Sequence, residues 1–441
     1  MKKAIVGIVV VLAVAAAGLP FINGMLMERG FRQLLADANT MYTNQGADIS
    51  AEIVRYDRGF SSSEIEWKLH LGSMKNIYKV EEIVFLERAK HGYRSVVSTT
   101  SLEKNGWFTD FVGEKLGGKV PVVVTTEYML TKGIRSVFSM QPFAMEVEKE
   151  TINVKSGEFI VEFDWELKNF RSNGTWEGLT VPEKMEVAGM AMDANLKLIT
   201  SFIWDGEISA RIDSMTVHDT ELALEMKGLT LAESLKYDEE KHAMAFEVSY
   251  GVGSISDGEE KIENASAAIG ARGVDSAAYE EAMKLYMELA RTMVEEIGAA
   301  GDDPEKLSAV MEEKMSSMSL QMVPILEKFL KKGLEIYVHD LRTQLKQGEI
   351  RGELLLRLEQ DMTVAQMIPL MGTPDQIFEF LSLKSDLQLP ASLVGDNPML
   401  TEPAIPGMTT GLFVAKGTDL VHQAETRDKQ LFINGEQLKF N

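Results

Sequence analysis

The chain has no cysteine in 441 residues. That removes disulfides, thiolate metal sites and cysteine nucleophiles together, and it suits an oxidising compartment without requiring one. Histidine is scarce: His70, His91, His218, His242, His339 and His422 stand with no two at metal-ligand spacing, so neither a metal site nor another cofactor is expected. Basic clusters are missing too. With 45 Lys and Arg against 67 Asp and Glu, the formal charge of -22 repels phosphate backbones, and nucleic acid is not an expected partner. The acidic pairs Glu239-Glu240, Glu259-Glu260 and Asp302-Asp303 lack the alternating oxygen-ligand spacing of a calcium loop and read as solvated turns. Catalytic signatures are also wanting. There is no G-x-S-x-G, and Gly251-Val-Gly253 lacks the third glycine of a phosphate loop. Ser101-Leu-Glu-Lys104 matches the S-x-x-K pattern, a match expected by chance in such a chain and without a partner motif here. No fixed-period repeat or low-complexity tract is present.

What the chain does have is one long apolar run, Ala4 to Ile22, preceded by Lys2 and Lys3. At about 1.5 Å per residue a helix of this length spans a hydrocarbon core of about 30 Å. The two lysines keep the amino terminus cytoplasmic and send the remainder across the membrane. A cleaved secretory signal is the rival reading, with Ala15, Ala16 and Ala17 supplying small residues for a peptidase; the run continues through Leu19, Phe21 and Ile22 without a polar break, which argues for retention. The 25% of charged residues excludes a multispanning protein.

Five segments follow from the patterning. Residues 1–22 are the anchor, and 23–46 form a juxtamembrane helix whose stripe is Phe31, Leu34, Leu35, Ala38, Met41 and Tyr42. From 47 to 271 the period is two: Ile65, Trp67, Leu69 and Leu71 alternate with charged residues, as do Phe159, Val161, Phe163, Trp165 and Leu167. Met244, Phe246, Val248 and Tyr250 repeat the pattern. Asn105-Gly106, Asn173-Gly174 and Asp257-Gly258 read as turns of an antiparallel meander. Residues 272–333 form a helical insertion, with Asp275 or Ser276 as the first cap. Residues 334–441 return to strand, with a hairpin at Gln347-Gly348, a short helix from Thr373-Pro374, and a closing hairpin at Asn434-Gly435. The expected fold is mainly β with some α, a long antiparallel sheet curled or packed on itself, carrying a helical insertion and one N-terminal transmembrane helix. The reason is that each strand has one dry face and the few helices cannot cover a long sheet.

Tyr56-Asp57-Arg58-Gly59-Phe60-Ser61-Ser62 resembles the signature of the YdgA-like family of bacterial membrane-anchored proteins, whose function is unknown. Pro20 and Gly24 fall where that family's anchor ends, and Phe60 stands where tryptophan is more usual. The resemblance implies an inner-membrane anchor and a periplasmic body, and it supplies no catalytic residues. Read physically, the motif is a hairpin device: Gly59 takes positive φ, Asp57 bonds nearby amides, and Tyr56 and Phe60 pin the turn to the core.

The expectation is therefore a non-catalytic envelope protein held by its N-terminal helix, with a lipid or another envelope protein as partner. One version binds or conducts an apolar ligand in a trough walled by Phe159, Val161, Phe163 and Trp165 and by the methionines Met311, Met315, Met318 and Met322. The other is a structural or interaction module whose apolar faces are all core. A hydrolase without a recognisable motif ranks third.

Overall fold

The structure is a computed structural model. Described here are residues 2–75, 80–104, 106–129, 131–147, 150–218, 223–300, 312, 321–370, 374–394 and 411–438, with the backbone alone for 2–17, 106, 107, 109, 295–300, 368–370, 374 and 375. The chain is mainly antiparallel β, its strands assigned to one large antiparallel sheet, and it divides into two units whose portions of it are the first and the second sheet below. The first comprises Met1–Val181, Ala191–Phe202 and Lys284–Met315; the second comprises Pro182–Met190, Ile203–Met283 and Ser316–Asn441.

The first unit begins with helix α1, Lys2–Asn44, 43 residues with Pro20 inside them. It joins what the sequence divides into anchor and juxtamembrane helix. The run Ala4–Ile22 lies within α1, and the side chains of residues 2–17 are outside those described; among the described residues no helix is long and apolar enough to cross a membrane. A meander follows, made of β1 (Ser50–Arg58), β2 (Ser62–His70), β3 (Glu82–His91), β4 (Ser95–Leu102), β5 (Val122–Met129), β6 (Gly133–Met140), β7 (Phe143–Val147), β8 (Glu150–Val154), β9 (Gly157–Phe163) and β10 (Asn169–Val181). β6 and β7 are one run interrupted at Pro142, which has no N–H to give the ladder. The pairs Ile134–Phe163, Met140–Gly157 and Phe143–Val154 hold a single register across that break. β8 and β9 likewise share one register against β10. The sheet does not close on itself. Its β1 edge is met by α1 instead: Asn39 Nδ2 donates to the Ala51 carbonyl at 2.8 Å, and the Ala51 N–H donates to Asn39 Oδ1 at 2.7 Å. One amide side chain thus replaces a neighbouring strand at this position.

β11 (Met185–Leu198) contributes residues to both units. In the second unit β12 (Trp204–His218), β13 (Ala223–Asp238), β14 (Ala243–Ser256), β15 (Lys261–Asp275), β16 (Glu335–Leu345), β17 (Gly348–Leu358) and β18 (Leu381–Pro390) pair in chain order. β20 (Asp419–Arg427) adds to β18, and its far edge carries β19 (Val414–Lys416) and β21 (Gln430–Ile433), the latter turning into β22 (Glu436–Gln437). Helix Ser276–Ala300 follows β15, and its cap is Asp275, which accepts the Ala278 N–H at 2.8 Å.

The turn signals divide. Asp257-Gly258 and Asn434-Gly435 form turns between successive strands, whereas the turn near Gln347 is Lys346-Gln347 and Gly348 already opens β17 opposite Leu345. Asn105 is outside the described residues, and Gly106 opens a ten-residue helix rather than a hairpin. Asn173-Gly174 lies inside β10, where it faces Ile160 and Phe159; a Cβ at Gly174 would collide with the Phe159 ring, so this glycine makes room for an aromatic side chain. The alternation expected through Leu167 stops at Phe163, because Asp164 to Lys168 turn the chain and Leu167 has φ +56°.

Candidate functional site

The motif residues sit at the turn joining β1 and β2, and they clamp α1. Arg58 pairs with Glu28 of the helix at 2.9 Å and lies 5.2 Å from the Phe21 ring centre. Phe60 stacks on Phe21 at 5.9 Å but is otherwise exposed, so only Tyr56 enters the core. Two expectations for the motif are corrected. Gly59 does not adopt positive φ; a Cβ there would sit 3.0 Å from the Ser62 carbonyl, to which its own N–H donates across the turn. Asp57 bonds Arg55 at 2.7 Å rather than turn amides, because Arg55 reaches it from the same strand. Further along, Asn23 donates to the Gly92 carbonyl at 2.6 Å, and Gly24 and Gly30 have no room for a Cβ beneath the His91 and Trp165 rings. Met27 and Phe31 then fill a core with Ile65, Ala89, Val96, Tyr128 and Ile134. Met27 and the two glycines were not legible as contacts, since a helical stripe names a face but not its partner.

Beneath α1 the sheet face carries polar side chains. Glu87 is buried and accepts from Ser98 Oγ and from Tyr128 Oη, the latter at 2.5 Å. Burial pushes its carboxyl above the ordinary value, against the lowering effect of those two donors. Burial likewise raises Tyr128 well above its usual range and Tyr56 to about 12. Among the described residues the buried Tyr56 Oη and Trp67 Nε1 meet no partner in full hydrogen-bond geometry, although Ser63 lies near the first and Glu87 near the second. Ser63 Oγ lies 2.8 Å from His91 Nε2, and His91 Nδ1 lies 3.3 Å from the Phe60 carbonyl. Burial holds His91 below its usual value; a neutral ring then donates from Nδ1 and accepts the serine proton at Nε2. This resembles a nucleophile and its base, yet both residues are buried under the helix and the orienting group is a carbonyl oxygen, so the pair fastens the turn.

Of the apolar residues expected to wall a trough, three share a face, one leaves it, and three of the methionines lie outside the described residues. Phe159, Val161 and Phe163 share one face of β9, the same face that α1 covers further along the sheet, and all are half-buried. Trp165 leaves that row: it stacks on Tyr128, donates to the Met129 carbonyl at 3.0 Å and packs into the helix core. Met311, Met315 and Met318 lie outside the described residues, and Met322 is half-buried in a helix of the second unit.

A broader apolar face belongs to the second unit. Tyr250 pairs with Leu231, Val248 with Ile269, Ile269 with Val338, and Ile336 with Leu356, so these side chains project from one side of β13 to β17. Leu231, Tyr250, Ile269 and Ile336 are 44%, 52%, 49% and 47% exposed. At its Phe246 end the face meets the following helix, through Tyr279 at 5.3 Å. The strand periods of Phe246 to Tyr250 and Ile336 to Val338 were readable; that the face they make is wet was not.

The opposite side of the same strands is charged. A depression of about 270 Å³ there is lined by Glu247, Arg272, Tyr337, His339, Glu353 and Lys384 among others. Its groups are already mated: Tyr337 and His339 both reach Glu247 Oε2, at 3.1 and 3.0 Å, Arg272 bonds Glu335, and Lys384 bonds Glu353 at 2.8 Å. The hydrogen bond to Glu247 raises the His339 pKa. Among the described residues no three His, Asp or Glu side chains are placed to hold a metal ion.

The chain belongs to DUF945, a family of bacterial proteins of unknown function whose model matches residues 1–440. No curated protein and no solved structure matches it.

Proposed function

We propose that this chain is a YdgA-like, single-pass protein of the bacterial inner membrane with its β body in the periplasm, and that the body binds or conducts a lipid or other apolar ligand without a catalytic step. What supports the anchor is the uncharged run Ala4–Ile22 behind Lys2 and Lys3, continuous with the helix that docks on the first sheet. A C-terminal reporter active only outside the cytoplasm tests the side, and amino-terminal sequencing tests retention.

The observation that carries the ligand reading is the contiguous, half-exposed apolar face of β13 to β17. An acyl chain laid along it would remove that surface from water at roughly 25 cal/mol per Å². Lipid extracted from the purified full chain is the measurement, on the parent and on a Tyr250→Asp, Ile269→Asp double variant. The parent should carry lipid that the variant loses while melting as the parent does. Equal lipid in both would refute this reading. A protein partner on the same face is the second reading, favoured by its breadth across five strands; a folded, lipid-free parent would turn the assignment that way.

A further inference from the structure

We infer that the end of the first sheet formed by the β1–β2 and β3–β4 turns is seated in the headgroup zone of a phospholipid bilayer, an inference that rests on the anchor proposed above. Two large side chains stand out from these turns into solvent: Phe60 is 61% and Tyr93 65% exposed. Neither turn needs them outside. Gly59 N–H to Ser62 O, at 2.8 Å, closes the first turn, and Gly92 N–H to Ser95 O, at 2.9 Å, closes the second.

Both turns are tied to the same stretch of α1. Phe60 stacks on Phe21, Asn23 bonds the Gly92 carbonyl, and Arg58 spans Phe21 and Glu28. Ser61 and His91 join the turns to each other, through the His91 N–H and Ser61 carbonyl at 2.9 Å. The helix here shows Leu19, Phe21 and Ile22 partly exposed, and these residues end the apolar run. An aromatic and aliphatic collar therefore surrounds the place where the run meets the sheet. Aromatic rings at that level are what an interface selects, with the ring in the acyl boundary and the polar tip or a neighbouring arginine at the phosphates; Tyr93 and the exposed Arg94 have this form. Because α1 continues from the run onto the sheet, with Pro20 inside it, the helix carries the collar at the end of the run.

The absence of native cysteine allows a direct test on the full chain in phosphatidylcholine–phosphatidylglycerol vesicles. Phe60→Cys, Tyr93→Cys and, as reference, Val147→Cys are each labelled with a polarity-sensitive fluorophore. Val147 is also exposed and apolar, but it ends the β6–β7 run that starts beside the collar, so it lies at the opposite end of the strands. The probes at 60 and 93 should emit blue-shifted and lose intensity to a lipid-borne quencher, while that at 147 keeps the emission seen in water. Probes at 60 and 93 that behave as the one at 147, in protein resisting alkaline extraction, would overturn the seating and leave the anchor standing. Release of the protein by alkali would overturn the anchor, and the seating with it.

Discussion

The helix-facing side of the first sheet and the apolar side of the second are built from the same alternation, and they end in opposite states. On the first, α1 closes over the strands so tightly that Gly24 and Gly30 have no space for a methyl group, and Met27 and Val96 are sealed from water. On the second, Tyr250, Leu231, Ile269 and Ile336 remain about half in solvent. Under a closed cover a buried polar group costs least when it finds partners, as Ser98 and Tyr128 do on Glu87. An open face needs no such arrangement: its apolar side chains share it with Glu233, which stands opposite Val248. Period-two patterning specifies a sheet face; what covers it is decided by shape.

The sharpest way to break this comparison is one substitution on each side. Met27→Asp buries an unpaired carboxylate in a sealed site and should cost more than about 4 kcal/mol, enough to prevent folding of the first unit. Ile269→Asp places the same group where water reaches it and should cost about 1 kcal/mol or less. Chemical denaturation of both variants beside the parent checks this. Similar losses at the two positions would mean that the second face is core.

Smaller, and confined to the helix, is the effect of a single methyl group. Gly24→Ala drives a Cβ into the His91 ring and should destabilise by about 1–3 kcal/mol. Gly113→Ala, at an exposed position of the Gly106–Lys115 helix where an added Cβ meets nothing within 4 Å, should stabilise by about 0.5–1 kcal/mol. Opposite signs in thermal melting would show that closeness to the sheet, not helix propensity, sets the cost at 24.

Much of the architecture was legible because alternation is local. Ile65 to Leu71, Phe159 to Phe163 and Met244 to Tyr250 announce their strands, and Asp275 announces its helix. The failures share a cause. Gly174 looked like half of a turn because a turn and a strand that admits a neighbouring ring both call for glycine, and only the register with Phe159 separates them. Trp165 extended an alternation but serves the helix core, since past the strand end at Phe163 the period no longer binds the side chain to a face. The Ser63–His91 contact joins residues 28 apart and has no sequence signal at all. For the candidate face, its strands were visible and its exposure was not, because exposure is a property of what fails to pack there.

The edge contact between α1 and β1 gives a prediction of comparable size. Asn39→Ala deletes both bonds to Ala51, whose buried backbone is left without partners there, and should cost about 1–3 kcal/mol. Amide hydrogen exchange at Ala51 should accelerate more than global stability falls. An unchanged exchange rate would show that the helix is not what protects this edge.

The sealed interior also makes the first unit sensitive to pH. Glu87 has its pKa raised in the folded state, so the native protein binds the proton more tightly than the unfolded chain. Its contribution is fully present below the unfolded value near 4.5 and is lost as pH rises through the folded value. Glu87→Gln should therefore melt higher than the parent at pH 8 and show no advantage at pH 4. A parent that gains stability on ionisation of this carboxyl would sink the assignment.

The open unit should respond least, even where its charges are closest. His339 Nε2 lies 3.0 Å from Glu247 and Nδ1 lies 2.8 Å from Asp340, and the bond to Glu247 is the leading cause of its raised pKa. The sign is opposite in origin to Glu87 but alike in consequence: stability gained from the charged ring is complete below the unfolded value of 6.5 and fades as pH rises through the folded one. Since both side chains are partly exposed, water and salt screen the pair, and the change in unfolding free energy across that window should stay within about 1 kcal/mol. The titration itself is the better readout. In Glu247→Gln, the His339 ring signals followed by nuclear magnetic resonance should titrate at lower pH than in the parent, with Asp340 keeping part of the shift. A midpoint unmoved by Glu247→Gln would show that the carboxylate beside the ring does not hold its proton, and the charged side of the second sheet would then lack the pairing that distinguishes it from its apolar side.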